Sequence, residues 1–278
     1  MKYILKPLNV NISLKKGIFY SLIEFFFSGI TPSSTGGQPV QLYYMTKDKI
    51  PMRKGYITLI LNTVFFKLVL VILGIIVLIF NNTYILYSEL IYQIFFVLGF
   101  LLDLFLIIFG FFLLFKIKTI NKLYVKLYKF LKKLKIFDKV IKDIEPTKVI
   151  ARYTDEITFI KTHKKNVFVT FFITFIQRLL LFSIIYVVYR ALGFNKYGYF
   201  ELVSIQVCVQ LAIEVLPFPS GAGLSEGMLH SMFYMIFASK LADVGMLLTR
   251  TFTFYIPIII SGIIILIEYI YRKKCKRN

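Results

Sequence analysis

Charge and cysteine are both scarce in this chain. Of its 278 residues only 17% are Asp, Glu, Lys or Arg, against about 25% in soluble globular domains. Two cysteines, Cys208 and Cys275, are too few for a disulfide framework, and no Cys/His spacing suits zinc. His163 and His230 stand alone. There is no P-loop, no dinucleotide fingerprint and no H-E-x-x-H run. Residues Met1–Lys16 hold no apolar core followed by a small-residue cleavage site, so no removable signal peptide is expected. These absences exclude a disulfide-stapled secreted scaffold and leave no expected metal or cofactor.

Apolar residues, in contrast, are abundant. They make up 58% of the chain, with 30 Phe, 19 Tyr and a mean hydropathy of +0.75. This composition predicts an all-α, polytopic membrane protein. The net charge of +20 would suggest nucleic acid in a soluble protein. Here it is segregated: residues 116–165 hold 15 Lys/Arg against 5 acidic residues, and the chain ends Arg-Lys-Lys-Cys-Lys-Arg-Asn. Basic residues collect in loops that remain cytoplasmic, so no nucleic-acid partner is expected.

About 20 apolar residues cross the hydrocarbon core as a helix. Residues 56–80, 90–115, 166–192 and 246–271 satisfy that length. Two further apolar stretches, 17–46 and 200–242, are interrupted. The first breaks at Thr31-Pro32-Ser33-Ser34-Thr35-Gly36-Gly37-Gln38-Pro39 and the second at Leu216-Pro217-Phe218-Pro219-Ser220-Gly221-Ala222-Gly223. Proline removes a helix donor and glycine loosens the backbone, so each stretch is predicted to enter the membrane and return. Lys15, Lys16, Lys47, Lys49, Arg53 and Lys54 flank the first on both sides, which places its ends in the cytoplasm. Following the spans onward, the second hairpin starts and ends outside. Both termini are expected to be cytoplasmic.

The two breaks share the pattern P-x-x-[ST]-G-[GA]. At an offset of 185, Pro32 aligns with Pro217, Thr35 with Ser220, Gly36 with Gly221, Gly37 with Ala222 and Gln41 with Glu226. Paired Gly/Pro interruptions in opposed halves point to an inverted repeat with a binding site between them. The expected organisation is one integral membrane domain over 1–278: a first half 1–115, a basic cytoplasmic segment 116–165 and a second half 166–278. Within the middle segment, Ile117, Ile120, Leu123, Leu127, Leu131 and Leu134 recur at helical steps between lysines. Such a helix fits either an anionic leaflet or the cytoplasmic end of the bundle.

Unpaired backbone at membrane depth is tolerated inside protein or beside a wet cavity. Helix starts at such breaks present free N–H groups suited to phosphate. The candidate binding set from the breaks is Pro32, Thr35, Gly36, Gly37, Gln41, Pro217, Ser220, Gly221, Gly223, Ser225 and Glu226. The alternative use of the glycines is close helix packing. Charges inside the apolar segments add Glu24, Glu214, Arg178 and Arg250; each costs roughly 2.5–3.5 kcal/mol at the bilayer centre on insertion scales, so partners or water are required. Structural ion pairing is the competing role, and Lys67 and Asp103 are matched to pair with each other. Gly223-Leu224-Ser225-Glu226-Gly227 fits the G-x-S-x-G nucleophile elbow, but no strand precedes it and no suitable Asp and His follow. No catalytic residue is assigned.

The loops T-P-S-S-T-G-G-Q-P-V-Q at 31–41 and L-P-F-P-S-G-A-G-L-S-E-G at 216–227 resemble the two signature loops of the lysylphosphatidylglycerol synthase transmembrane region. That region is the flippase part of the bacterial multiple peptide resistance factor. The resemblance runs from about residue 17 to 271. It implies a bacterial inner-membrane protein that moves a phospholipid such as lysyl-phosphatidylglycerol between leaflets, a role tied to lipid metabolism and cationic-peptide resistance. The partners it implies are membrane phospholipid and a separate synthase. In the full resistance factor a cytosolic domain transfers lysine from charged tRNA, and the family label extends phosphatidylglycerol lysyltransferase to short members. This chain shows no stretch for that domain, nor the hydrophobic helices that usually precede the first loop. The alternatives to lipid movement are lysyl transfer and transport of a small solute.

Overall fold

The computed structural model describes residues 1–81, 89–115, 162–214, 223–237 and 239–274. Among them the secondary structure is entirely helical. The amphipathic pattern at 117–144 and the break residues Pro217, Ser220 and Gly221 lie outside the described residues.

A short helix α1 (Lys2–Leu5) leads into α2 (Leu14–Ile30). Ser13 caps α2, its hydroxyl accepting from the Lys16 N–H at 3.2 Å. Thr31 ends α2 in an extended conformation, which the following Pro32 enforces. A 3₁₀ turn, Pro32–Ser34, leads to α3 (Gly37–Lys47). The two arms pack so closely that a Cβ on Gly37 would overlap the Ser28 hydroxyl and lie 2.6 Å from the Glu24 carbonyl oxygen. Glycine is required there by the close approach rather than by backbone angles. The first interrupted stretch is thus a helical hairpin, as its Pro/Gly content predicts.

Helix α4 (Met52–Phe80) and helix α5 (Leu90–Phe115) follow. Next come α6 (Lys164–Phe182) and α7 (Ile184–Ala191), which meet at Ser183. The Ser183 hydroxyl donates to the Leu179 carbonyl at 2.6 Å, a local bond that competes with the helical ladder and bends the chain. The span expected at 166–192 is formed, with a bend at Ser183. The second interrupted stretch supplies α8 (Tyr199–Ile213) and α9 (Leu224–Ile236) on either side of its break. The hairpin closes at Ile236, earlier than the expected residue 242, and α10 (Ser239–Arg250) starts the last long helix. That helix passes through a π-helical turn, Thr251–Tyr255, into α11 (Ile256–Lys274). Pro257 cannot donate to a carbonyl one turn back, and the widened turn just before it absorbs that loss.

Among the described residues, four helices are long and apolar enough to cross a membrane: Met52–Phe80, Leu90–Leu114, Lys164–Ala191 and Leu241–Lys274. Helix α8 is apolar but shorter. From Leu202 to Val209 it is buried on every side, as suits a helix that is hydrophobic all round. Helices α4, α5 and α9 surround it. A Cβ on Gly99 of α5 would overlap the Leu211 carbonyl oxygen, so α5 and α8 touch backbone to backbone. The opposite faces of α5 and α11 leave Leu101, Phe105, Ile108, Ile259, Ile263 and Ile267 exposed, an apolar surface that suits lipid.

Candidate functional site

The first break closes on its own hydroxyls. The Thr31 hydroxyl donates to the Phe27 carbonyl at 2.6 Å and accepts from the Gly36 N–H at 2.9 Å. The Thr35 hydroxyl donates to the Pro32 carbonyl at 3.0 Å. Behind the break, Gln41 of α3 is fully buried. Its side-chain amide donates to the Tyr20 carbonyl at 3.0 Å and approaches Glu24 Oε2 at 3.4 Å. Gln41 and Glu24, both candidates from sequence, are thus adjacent across the hairpin. Its amide oxygen has no hydrogen-bond partner.

The second break opens into α9 through Gly223, whose φ of +88° is open to glycine and strained for other residues. Glu226 folds back over this helix start. Its Oε2 accepts from the Gly223 N–H at 2.7 Å and from the Ser225 hydroxyl at 2.9 Å. Its Oε1 receives Arg250 through Nε at 2.9 Å and Nη2 at 2.8 Å. A carboxylate at a helix N-terminus gains from the free N–H groups and the dipole; a guanidinium on its other oxygen completes the pairing. Ser225 therefore serves Glu226. His230, five residues on, pairs with Asp243 at 2.9 Å instead. The nucleophile-elbow geometry is not formed.

A buried charge cluster lies where α4 and α5 meet the end of α8. Lys67 of α4 reaches Asp103 of α5 at 2.9 Å and Glu214, just past the end of α8, at 2.5 Å. The Lys67–Asp103 pair matches the sequence expectation, whereas Glu214 joins it across 147 residues of chain. One ammonium thus serves two carboxylates. Charges so buried persist only where each has a partner.

Arg178 of α6 completes the group. It lies within electrostatic reach of both Glu214 and Glu24. That group stacks on the Phe66 ring at 3.6 Å from its centroid. Its Nε is buried without a hydrogen-bond partner among the described residues. Phe66 is the contributor that sequence reading missed; an aromatic in an apolar span carries no sign of a cation stacked on it.

The remaining in-span charges have local duties. Glu201 caps α8 by accepting from the Gly198 N–H at 2.6 Å. Arg190 donates to the Asn195 side chain. Glu268 accepts from Arg272 at 2.7 Å.

A family model described as the lysylphosphatidylglycerol synthase TM region matches residues 1–261. The chain belongs to that family. No match is found among curated proteins, and none among solved structures. Membership of the lysylphosphatidylglycerol synthase TM region, together with the four apolar spans, makes this a membrane protein with a lipid-related role. Among the described residues no group of His, Cys, Asp and Glu could hold a metal ion.

Proposed function

We propose that the chain moves a phospholipid between the leaflets of a bacterial inner membrane, with its headgroup passing between the two broken hairpins. The observation that carries this reading is Arg178: a stacked guanidinium with an unused Nε donor, flanked by Glu24 of the first hairpin and Glu214 beside the second. A guanidinium is a phosphate ligand by geometry as well as charge. The flanking carboxylates suit an amine on the same headgroup, as in lysyl-phosphatidylglycerol.

The hairpins enter from opposite faces in this reading, as the distribution of lysine and arginine requires, and both termini are cytoplasmic. Helix starts at the two breaks then lie near mid-membrane, where the positive ends of the helix dipoles attract an anion. Thr35, Gly36 and Gly37 line one side of the path, and Gly223, Ser225 and Glu226 the other. The Glu226–Arg250 pair opens and recloses as the headgroup passes. Acyl chains stay in lipid, and a separate synthase supplies the substrate.

The test is reconstitution in vesicles with fluorescent phosphatidylglycerol or lysyl-phosphatidylglycerol, scoring the label that becomes accessible from the outer side. Wild type should speed exchange, Arg178→Ala should abolish the acceleration, and Arg178→Lys should restore part of it. Equal exchange by wild type and empty vesicles, with the protein folded, would overturn the reading. A purified chain that instead joins lysine from lysyl-tRNA to phosphatidylglycerol would establish the transferase alternative.

A further inference from the structure

A second polar site lies away from the charge cluster, where the N-terminal arm, the start of α2 and the α3–α4 link meet. It is a cavity of about 510 Å³, bordered by Ser13 and Lys16 of α2, by Asp48 and Lys49 of the link, and by Pro51 and Lys54 at the start of α4. Its size falls in the range of small-molecule sites.

Its electrostatics are one-sided. Asp48, the one acidic lining residue, is already spoken for: its Oδ1 takes Arg272 Nη1 at 2.8 Å, and its Oδ2 takes the Tyr20 hydroxyl at 2.7 Å and Arg272 Nη2 at 3.3 Å. Lys16 is a more distant neighbour of that carboxylate, at 3.5 Å. Lys54 spends one donor on the Leu8 carbonyl at 2.6 Å, which fixes its ammonium at the wall and leaves two donors. The chain thus orients a lysine here without neutralising it. Lys49 is exposed and has no carboxylate partner among the described residues. Moreover, Lys49 occupies the left-handed position that ends α3, at φ +62°, while the Ile50 N–H bonds back to the Met45 carbonyl at 3.0 Å. Glycine is the usual residue there; a lysine is held in a strained conformation at the cavity edge. The first turns of α2 and α4 also border the space, and Pro51 offers α4 no side-chain cap, so both helix dipoles add positive potential.

We propose that this cavity is an anion site for a phosphate group, supplied by an anionic phospholipid headgroup at the cytoplasmic surface or by a soluble phosphate. It is a separate site from the Arg178 cluster, and it stands whether or not the chain translocates lipid. Lys16, Lys49 and Lys54 hold the phosphate oxygens through charge-assisted hydrogen bonds, and the Arg272–Asp48–Tyr20 set forms the rigid wall behind them.

The test uses the full chain in detergent, titrated with phosphatidylglycerol and read by native mass spectrometry as bound lipid, with parallel titrations in inorganic phosphate. The informative variant is Lys49→Gly, because glycine relaxes the left-handed turn while deleting the ammonium; loss of binding then cannot be charged to loss of fold. Lys49→Gly combined with Lys16→Gln should weaken phosphatidylglycerol binding by about tenfold, the worth of one or two charged hydrogen bonds. Lys47→Gln, whose ammonium sits over the Tyr43 ring at 4.4 Å, should change nothing. Lipid binding indifferent to millimolar phosphate identifies the headgroup as the source; competition by phosphate identifies the soluble anion. Binding of both ligands within twofold of wild type in the double variant overturns the proposal. Flipping of fluorescent lipid is read separately, so a failed translocation assay leaves this result standing.

Discussion

The two hairpins carry the same Pro/Gly punctuation, and the described residues beside it are held differently. In the first, α2 and α3 press together at Gly37, and Thr31 and Thr35 hydroxyls absorb the stray backbone groups. In the second, ionised side chains frame the gap: Glu214 leaves α8 for Lys67, and Glu226 ties the start of α9 to Arg250. A break closed by neutral hydroxyls is local and inexpensive. A break framed by charge depends on distant helices, since each carboxylate needs a cation brought by tertiary packing. The residues flanking the second break are therefore tied by charge to distant helices, so that a charged ligand could influence its opening.

The sharpest way to break this contrast is to remove the shared cation. Lys67→Met leaves Asp103 and Glu214 buried without their ammonium and should cost roughly 3–5 kcal/mol, read as a fall in thermal midpoint in detergent. Adding Asp103→Asn and Glu214→Gln should recover much of it. A midpoint within a degree of wild type would show the cluster to be hydrated and the contrast overdrawn. Gly99→Ala comes next. Its methyl would meet the Leu211 backbone, which cannot swing aside, and overpacking of this kind costs about 1–3 kcal/mol. This tests whether α8 is the rigid arm of the second hairpin.

Arg250→Ala frees Glu226 from its cation and should reduce lipid exchange by tenfold or more, taking about 1.4 kcal/mol per factor of ten. Thr31→Val, the matching cut in the first hairpin, removes one hydroxyl that both donates and accepts, and should cost about 1 kcal/mol with exchange within twofold of wild type. A larger loss of exchange from Thr31→Val than from Arg250→Ala would invert the comparison.

The smallest effect concerns acid. Burial raises the Asp48 carboxyl, but hydrogen bonds from Arg272 and Tyr20, with the charges of Arg272 and Lys16, outweigh it and hold the group below the usual carboxylate range. A depressed carboxylate adds stability above its unfolded pKa of about 3.9 and forfeits it as pH falls through the lower folded value. Stability should accordingly decline on acidification below about pH 4, and Asp48→Asn should flatten that decline. An unchanged acid limb in the variant would assign it to other carboxylates.

Much of this was legible in the sequence because the signals are local. Apolar runs of span length, two Pro/Gly interruptions and the lysine distribution need no knowledge of neighbours, and helices form over each expected span. Ser183 bends the span expected at 166–192 through its bond to Leu179 without ending it. The misreading is a boundary: the last helix starts well before residue 246 because α9 stops at Ile236. Lys67 and Asp103 could be matched by eye, since they face each other on consecutive spans. Phe66 beneath Arg178 could not be, because stacking is a property of where two helices meet.

By itself the sequence determined that this chain is helical, membrane-spanning and twice broken, because hydrophobic length and proline chemistry act along the chain. Only the tertiary structure decided that Glu214 joins Lys67, that Glu226 takes Arg250, and that Asp48 is neutralised by Arg272 from 224 residues away. A buried charge selects its partner by distance in space and the cost of leaving it alone, and neither quantity is written in the order of residues.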